Sequence, residues 1–407
     1  MIQEQLVNLP IEWKRGSGLR KSDLDEDGKN KCILYGELYT KHKDFLIESL
    51  NISRTNKIGA ICSKKGDILV PGTSTASKKD MLLAREIDED GVFLGGDINI
   101  IRPKEGVFAK KYLPYFFETY TAYDQLDRYI TGATGIIHIS NTGLKKLKVP
   151  FPNLHEQESI VVILDKAFTA IDKAKANAQQ NLKDAKELFE SYLQGVFEKK
   201  LHGSKFETLD SLCELIVDCE HKTAPTQETG YPSIRTPNIG KGILLLEGVN
   251  RVSEKTYNEW TRRAIPQKDD LILAREAPAG NIAVIPENVK VCLGQRTVLI
   301  RPKKNKIVSK FLAYLILSKD VQKQLLSHST GATVEHINMK DIRAFKIYNL
   351  SPIEEQQTIV QKLDALSVET KKLESIYQQK INDLEELKKS ILQKAFAGEL
   401  KATKELV

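Results

Sequence analysis

The sequence predicts a mixed α/β protein with two β-rich domains in tandem. Each is followed by one long helix, and the two helices pair as a coiled coil. Three observations predict this. The first is an internal repeat at an offset of about 199. Residues 131–134 and 330–333 both read Thr-Gly-Ala-Thr, and residues 156–201 match 355–400 at 17 of 46 positions without a gap. Average composition would give about three such matches, so the chain is a duplication. The second is a change of texture: residues 154–200 and 353–397 hold no proline and a single glycine, while the segments before them are broken by Gly, Pro and Asn. The third is the placement of charge, taken up below.

These signals divide the chain into 1–153, 154–203, 204–352 and 353–407. In the first and third parts, short β-branched runs read as strands: Asp67–Val70, Ile98–Ile101, Leu271–Leu273 and Thr297–Ile300. Each of these parts also carries one expected helix, near 109–126 and 308–327. In the fourth part, alternating steps of four and three from Ile359 pass through Leu363, Leu366, Thr370, Leu373, Tyr377, Lys380, Leu384, Leu387 and Ile391. The same steps in the second part pass through Ile160, Leu164, Ala167, Ile171, Ala174, Ala178, Asn181, Ala185, Leu188 and Tyr192. A mean apolar spacing of 3.5 residues is a coiled-coil seam, and both seams are interrupted at one shared place, Asn181 and Lys380. The competing reading is two amphipathic helices, each packed on its own domain.

The chain has 407 residues, 61 Lys and Arg, 54 Asp and Glu, and a net charge of +7. Residues 154–201 and 353–407 are each −1, so the β-rich parts carry +9. Two similar basic modules on a helical spacer suit a long, regular polyanion, and duplex DNA is the candidate. The composition, with 41% hydrophobic and 28% charged residues, excludes a disordered or collagen-like chain. Five scattered cysteines show no metal spacing and read as free thiols. No apolar stretch reaches a membrane span and no secretory leader is visible, so a cytoplasmic protein is expected. A phosphate-binding GxxxxGK[ST] loop, a GxGxxG turn, an Asn-Pro-Pro loop and a metal-ligand cluster are all missing. Neither catalytic residues nor a metal site are expected.

One family fits these residues. Arg275-Glu-Ala-Pro-Ala-Gly-Asn-Ile-Ala-Val-Ile-Pro286, then Cys292-Leu-Gly-Gln-Arg296 and Arg301-Pro302, resembles the target-recognition domain of type I restriction-modification specificity subunits. So does Thr-Gly-Ala-Thr followed by His-Ile, and Pro352-x-x-Glu-Gln-x-x-Ile-Val360 opening a long helix. The first half is similar at Pro152, Glu156-Gln157 and Ile160-Val161, and the end at Gly398-Glu399-Leu400. The resemblance implies a non-catalytic DNA reader in which each recognition domain reads one half of a bipartite, asymmetric target. It implies that the helices run antiparallel, set the spacer between the halves and dock two methyltransferase subunits that methylate adenine. Restriction motor-nuclease subunits would join through these. S-adenosylmethionine, ATP and Mg²⁺ would belong to the partners, and no cofactor to this chain. The alternatives are a nuclease or methyltransferase with an unrecognised site, and a DNA-binding or purely structural coiled-coil adaptor.

Base reading needs paired donors or acceptors such as Arg, Asn and Gln, and phosphate contacts need Lys, Arg, Ser and Thr. Loops of the first domain offer Arg54, Lys57, Thr73, Ser74, Ser77, Lys78, Lys79, Thr131 and Thr134. The second offers Arg235, Asn238, Lys241, Arg262, Arg263, Arg275, Asn281, Gln295, Arg296, Thr330 and Thr333. For any one of them, the competing reading is a solvated surface charge or a turn residue.

Overall fold

The computed structural model describes all residues except 1, 49–51, 60, 76, 133–134, 199–202, 277–278, 327–335 and 401–407. The chain forms two compact units. Unit 1 comprises residues 1–178 with 379–407, and unit 2 comprises residues 179–378.

In unit 1 a five-stranded sheet has the order Ile11–Arg15, Ile98–Pro103, Asp67–Pro71, Arg85–Ile87, Leu46–Ile47. We label its three main strands β1 (Ile11–Arg15), β2 (Asp67–Pro71) and β3 (Ile98–Pro103). The central β3 is antiparallel to both neighbours. Ile98, Ile100 and Ile101 are fully buried, as suits a β-branched run in an interior strand of the sheet. Unit 2 repeats the arrangement with β4 (Cys213–Asp218), β5 (Leu271–Ala274) and β6 (Thr297–Pro302), then Ile282–Val284 at the edge. All four strands expected from sequence are present.

The single helix expected in each β-rich part is broken in two. Tyr112–Phe117 is followed by Tyr120–Leu126, and Ser309–Leu317 by Lys319–Leu326. The breaks fall at repeat-equivalent residues, Thr119 and Ser318. Thr119 donates its hydroxyl to the Phe116 carbonyl and accepts the Ala122 N–H, capping the next helix. Ser318 donates in the same way to the Leu315 carbonyl.

The two long helices are continuous: α1 (Leu154–Phe197, 44 residues) and α2 (Ile353–Ala397, 45 residues). At 1.5 Å per residue each spans roughly 65 Å. In unit 1 the first half of α1 joins the last part of α2: Val161, Leu164 and Phe168 share a core with Leu392, Ala395 and Phe396. Lys175 pairs with Glu385 at 2.6 Å, and Lys388 with Asp172 at 2.9 Å. In unit 2 the end of α1 joins the start of α2 through Leu193, Phe197, Val360 and Leu363. The helices therefore run antiparallel, and each half-helix also belongs to the core of its globular domain. The two competing readings of the helices are both partly realised.

The seam needs a correction. Leu164, Ile171, Ala178 and Ala185 are buried as expected, and so are Leu363 and Thr370. Ile160, Ile359, Leu366, Tyr377, Leu384 and Ile391 are half-buried. Leu188, Tyr192, Leu373 and Leu387 are exposed instead. The alternate positions lie one residue later: Phe168, Leu193, Ile381 and Leu392 are buried, and Leu182 and Phe189 half-buried. The expected polar break at Asn181 and Lys380 is thus on the outside.

Candidate nucleic-acid interface

A duplicated set of side chains mounts each long helix on its domain. Gln157 is buried and accepts the Ala109 N–H at 3.0 Å. Its amide donates to the Pro152 carbonyl at 3.0 Å and to the Val107 carbonyl. Gln356 repeats this, accepting from Val308 at 2.8 Å and donating to Ser351 and Lys306. About two turns further, Asp165 accepts from Tyr115 and Lys111, and Asp364 from Tyr314 and Lys310. Burial first, and then the neighbouring carboxylate, push both tyrosine hydroxyls far above their usual range. In the sheets, the bidentate Arg102–Asp67 pair is matched by Arg301–Asp270.

The repeated His-Ile pair docks on the sheet in the same way in both units. Ile139 donates its N–H to the Gly72 carbonyl at 3.0 Å, and Ile337 to the Arg275 carbonyl at 3.1 Å. Gly72 and Arg275 each follow the last residue of the equivalent strands β2 and β5. The carbonyl of each isoleucine is held too, by Asn99 in unit 1 and by Arg275 in unit 2. Each histidine then meets the next residue along: His138 contacts the Thr73 hydroxyl at 3.0 Å, and His336 the Glu276 carboxylate at 2.6 Å.

The residues expected to meet DNA fall into three groups: internal, engaged in local hydrogen bonds, and outward. Three are internal. Arg275 is 7% exposed and ties Asp218, His336 and the Ile337 carbonyl together, so it fastens the loop and does not reach outward. Thr73 and Ser74 are buried, bonded to His138 and Asp80. Ser77 caps the short helix Lys78–Leu82, and Asn238 closes a turn on the Arg235 N–H. Arg54 donates to the Gly28 carbonyl, Lys57 to the Gly18 carbonyl, and Asn281 to the Ile239 carbonyl.

The others are outward. Lys78 and Lys79 are exposed on their helix. Asp127, 2.6 Å from Lys78, holds its ammonium above the usual lysine range. Thr131 is exposed and bridges to His138. In unit 2, Arg235, Arg262, Arg263 and Arg296 are exposed. Arg262 and Arg263 both reach Glu220, Gln295 donates to the His221 carbonyl, and Arg296 pairs with Glu276 at 2.9 Å. Arg262, Arg263 and Gln295 thus contact the 218–221 segment, whose Asp218 also pairs with Arg275 of the docking point. Lys241 lies elsewhere, paired with Glu190 on α1 at 3.4 Å. Thr134, Thr330 and Thr333 lie outside the described residues.

Lys145 and Lys146, not singled out in the sequence, rest on aromatic rings. Their ammonium groups sit 5.6 Å from the Trp13 ring and 5.7 Å from the Tyr129 ring, and Arg128 also lies over Tyr129. The adjacent lysines after a repeated motif were visible, but the aromatic rings beneath them are distant in sequence. Among the described residues no group of His, Cys, Asp and Glu could hold a metal ion. No described helix is long and apolar enough to cross a membrane.

The profile of the family described as type I restriction modification DNA specificity domain matches twice, over residues 5–183 and 203–386. The type I restriction enzyme EcoBI specificity subunit of Escherichia coli is 23% identical over 71% of this chain and 66% of its own length. Among solved structures, the HsdS subunit from Thermoanaerobacter tengcongensis aligns over 98% of this chain and 97% of that one, with a TM-score of 0.61. A chain from a study of complex assembly and conformational transition in the type I R-M system aligns over 96% of this chain and 98% of its own, with a TM-score of 0.71. Both structures are 18% identical to this chain, so they speak for its fold.

Proposed function

Because the chain belongs to the type I restriction-modification DNA specificity family, we propose that it is the DNA-reading specificity subunit of a methyltransferase and nuclease assembly. Each globular domain reads one half of a bipartite, asymmetric duplex target. The helix pair spaces the halves and docks two methyltransferase subunits that methylate adenine, and motor-nuclease subunits join through them. S-adenosylmethionine, ATP and Mg²⁺ work in those partners, and this chain performs no catalysis.

The observation that carries the reading is the duplicated docking point, which presents a different polar surface in each unit of one repeated frame. A split asymmetric target needs two such readers. The +9 on the β-rich parts supports a polyanionic partner, and the nearly neutral helices support protein contacts.

Two measurements test it. Incubated with duplex DNA, Mg²⁺ and S-adenosylmethionine, the chain alone gives neither cleavage nor methyl transfer; either activity contradicts the reading. In the complex with methyltransferase subunits, Lys78→Ala or Lys79→Ala weakens binding to all sequences alike. Each variant also lowers the salt slope by about one unit, as expected for a lost phosphate contact. An unchanged affinity and slope in both variants would place this helix off the DNA.

A further inference from the structure

The strand pairings give a residue-by-residue equivalence at the docking point. Asn99 pairs with Arg15 in unit 1, and its repeat equivalent Val298 pairs with Asp218 in unit 2, so Arg15 corresponds to Asp218. Pairing of β2 on β3 and of β5 on β6 makes Pro71 equivalent to Ala274, and hence Thr73 to Glu276. Asp97 precedes β3 as Arg296 precedes β6.

The two clusters hold opposite chemistry in one frame. In unit 1, Arg15 pairs with Asp97 at 3.0 Å. In unit 2 both positions are inverted, to Asp218 and Arg296. Asp218 now pairs with Arg275, and Arg296 with Glu276. The buried frame beneath is conserved between units: the Arg102–Asp67 and Arg301–Asp270 pairs and both His-Ile dockings. At the solvent side of the two clusters stand Arg15 and Arg296, which keep 49% and 59% of their side chains exposed.

Both clusters are balanced in charge. A phosphate seat is net positive, whereas base edges offer both acceptors and donors, which Arg reads on guanine and Asp or Glu on cytosine. In the unbound protein the donors and acceptors satisfy one another, and a base edge can exchange for either partner. We propose that this charge-inverted cluster determines half-site sequence, with Arg15 acting in the first half-site and Arg296 in the second. This rests on the DNA-reading function proposed above.

The test uses Arg15→Lys and Arg296→Lys in the assembled complex with its methyltransferase subunits. Lysine keeps the charge and loses the planar two-donor fork. Methylation rates are measured on duplex oligonucleotides carrying the parent's motif and each single-base variant of it. Arg296→Lys is expected to relax one or more positions of the second half-site roughly 5- to 100-fold, the range of a lost bidentate base contact, and to leave the first unchanged. Arg15→Lys does the reverse. Two results overturn the proposal: both variants keeping the parent's preferences, or both slowing evenly on every duplex, as a purely structural or phosphate role would give. If the parent itself discriminates among none of the duplexes, the DNA-reading function falls instead.

Discussion

Gln157 and Gln356 show how a single residue couples a helix to a sheet domain. Each is the Gln of a repeated Glu-Gln pair, and each spends its whole amide on three backbone groups of its own domain. The repeat made these residues visible in the sequence, but their task was not, because two of the three partners of each lie about 50 positions upstream. Gln356→Leu strands a buried N–H and two carbonyls. A cost of about 3 kcal/mol is expected, since each unsatisfied group costs roughly 1–3 kcal/mol and water recovers part of it. Unit 2 should then melt roughly 6–12 °C lower. A loss below about 1 kcal/mol in calorimetry would show that the clamp is dispensable. Arg275 teaches the opposite lesson. Its place in a polar motif suggested a DNA contact, and only the fold reveals that its guanidinium is spent on Asp218, His336 and a carbonyl.

At the scale of the element, the two long helices were legible in extent and only half legible in phase. Their lengths followed from missing Gly and Pro. The seam did not, because α1 offers apolar residues in two adjacent phases: Leu188 beside Phe189, Tyr192 beside Leu193, Ala167 beside Phe168. A strict 3.5-residue repeat and the natural 3.6-residue turn drift apart by about 20° per heptad, so periodicity alone does not choose between them. The globular domains choose, since each half-helix must also cover a sheet domain's core. Leu164→Ala and Leu363→Ala should each cost about 2–5 kcal/mol, because both side chains are fully buried. Leu188→Ala and Leu387→Ala, half exposed, should cost under about 1 kcal/mol. Denaturant midpoints of the four variants check this; equal losses in all four would restore the seam as first read.

For the whole molecule, duplication explains most of what the sequence shows. It sets two units, each with one β-rich reader and two half-helices, and unit 1 takes its second half-helix from the far end of the chain. It also explains why the better preserved part is the helical one. The helices and their clamps repeat one mechanical task, while the β-rich domains keep a frame and differ in the side chains around the docking point. Arg15 and Asp218 share no repeated motif in the sequence, and strand pairing is what matches them. The central claim is that these two domains read separate stretches of one duplex. Its most direct test is selection from a randomised duplex library by the chain assembled with its methyltransferase subunits, followed by sequencing of the bound DNA. The account predicts two blocks of fixed bases, unlike each other, separated by a stretch of constant length with no base preference. A single continuous block, or no enrichment, would contradict it.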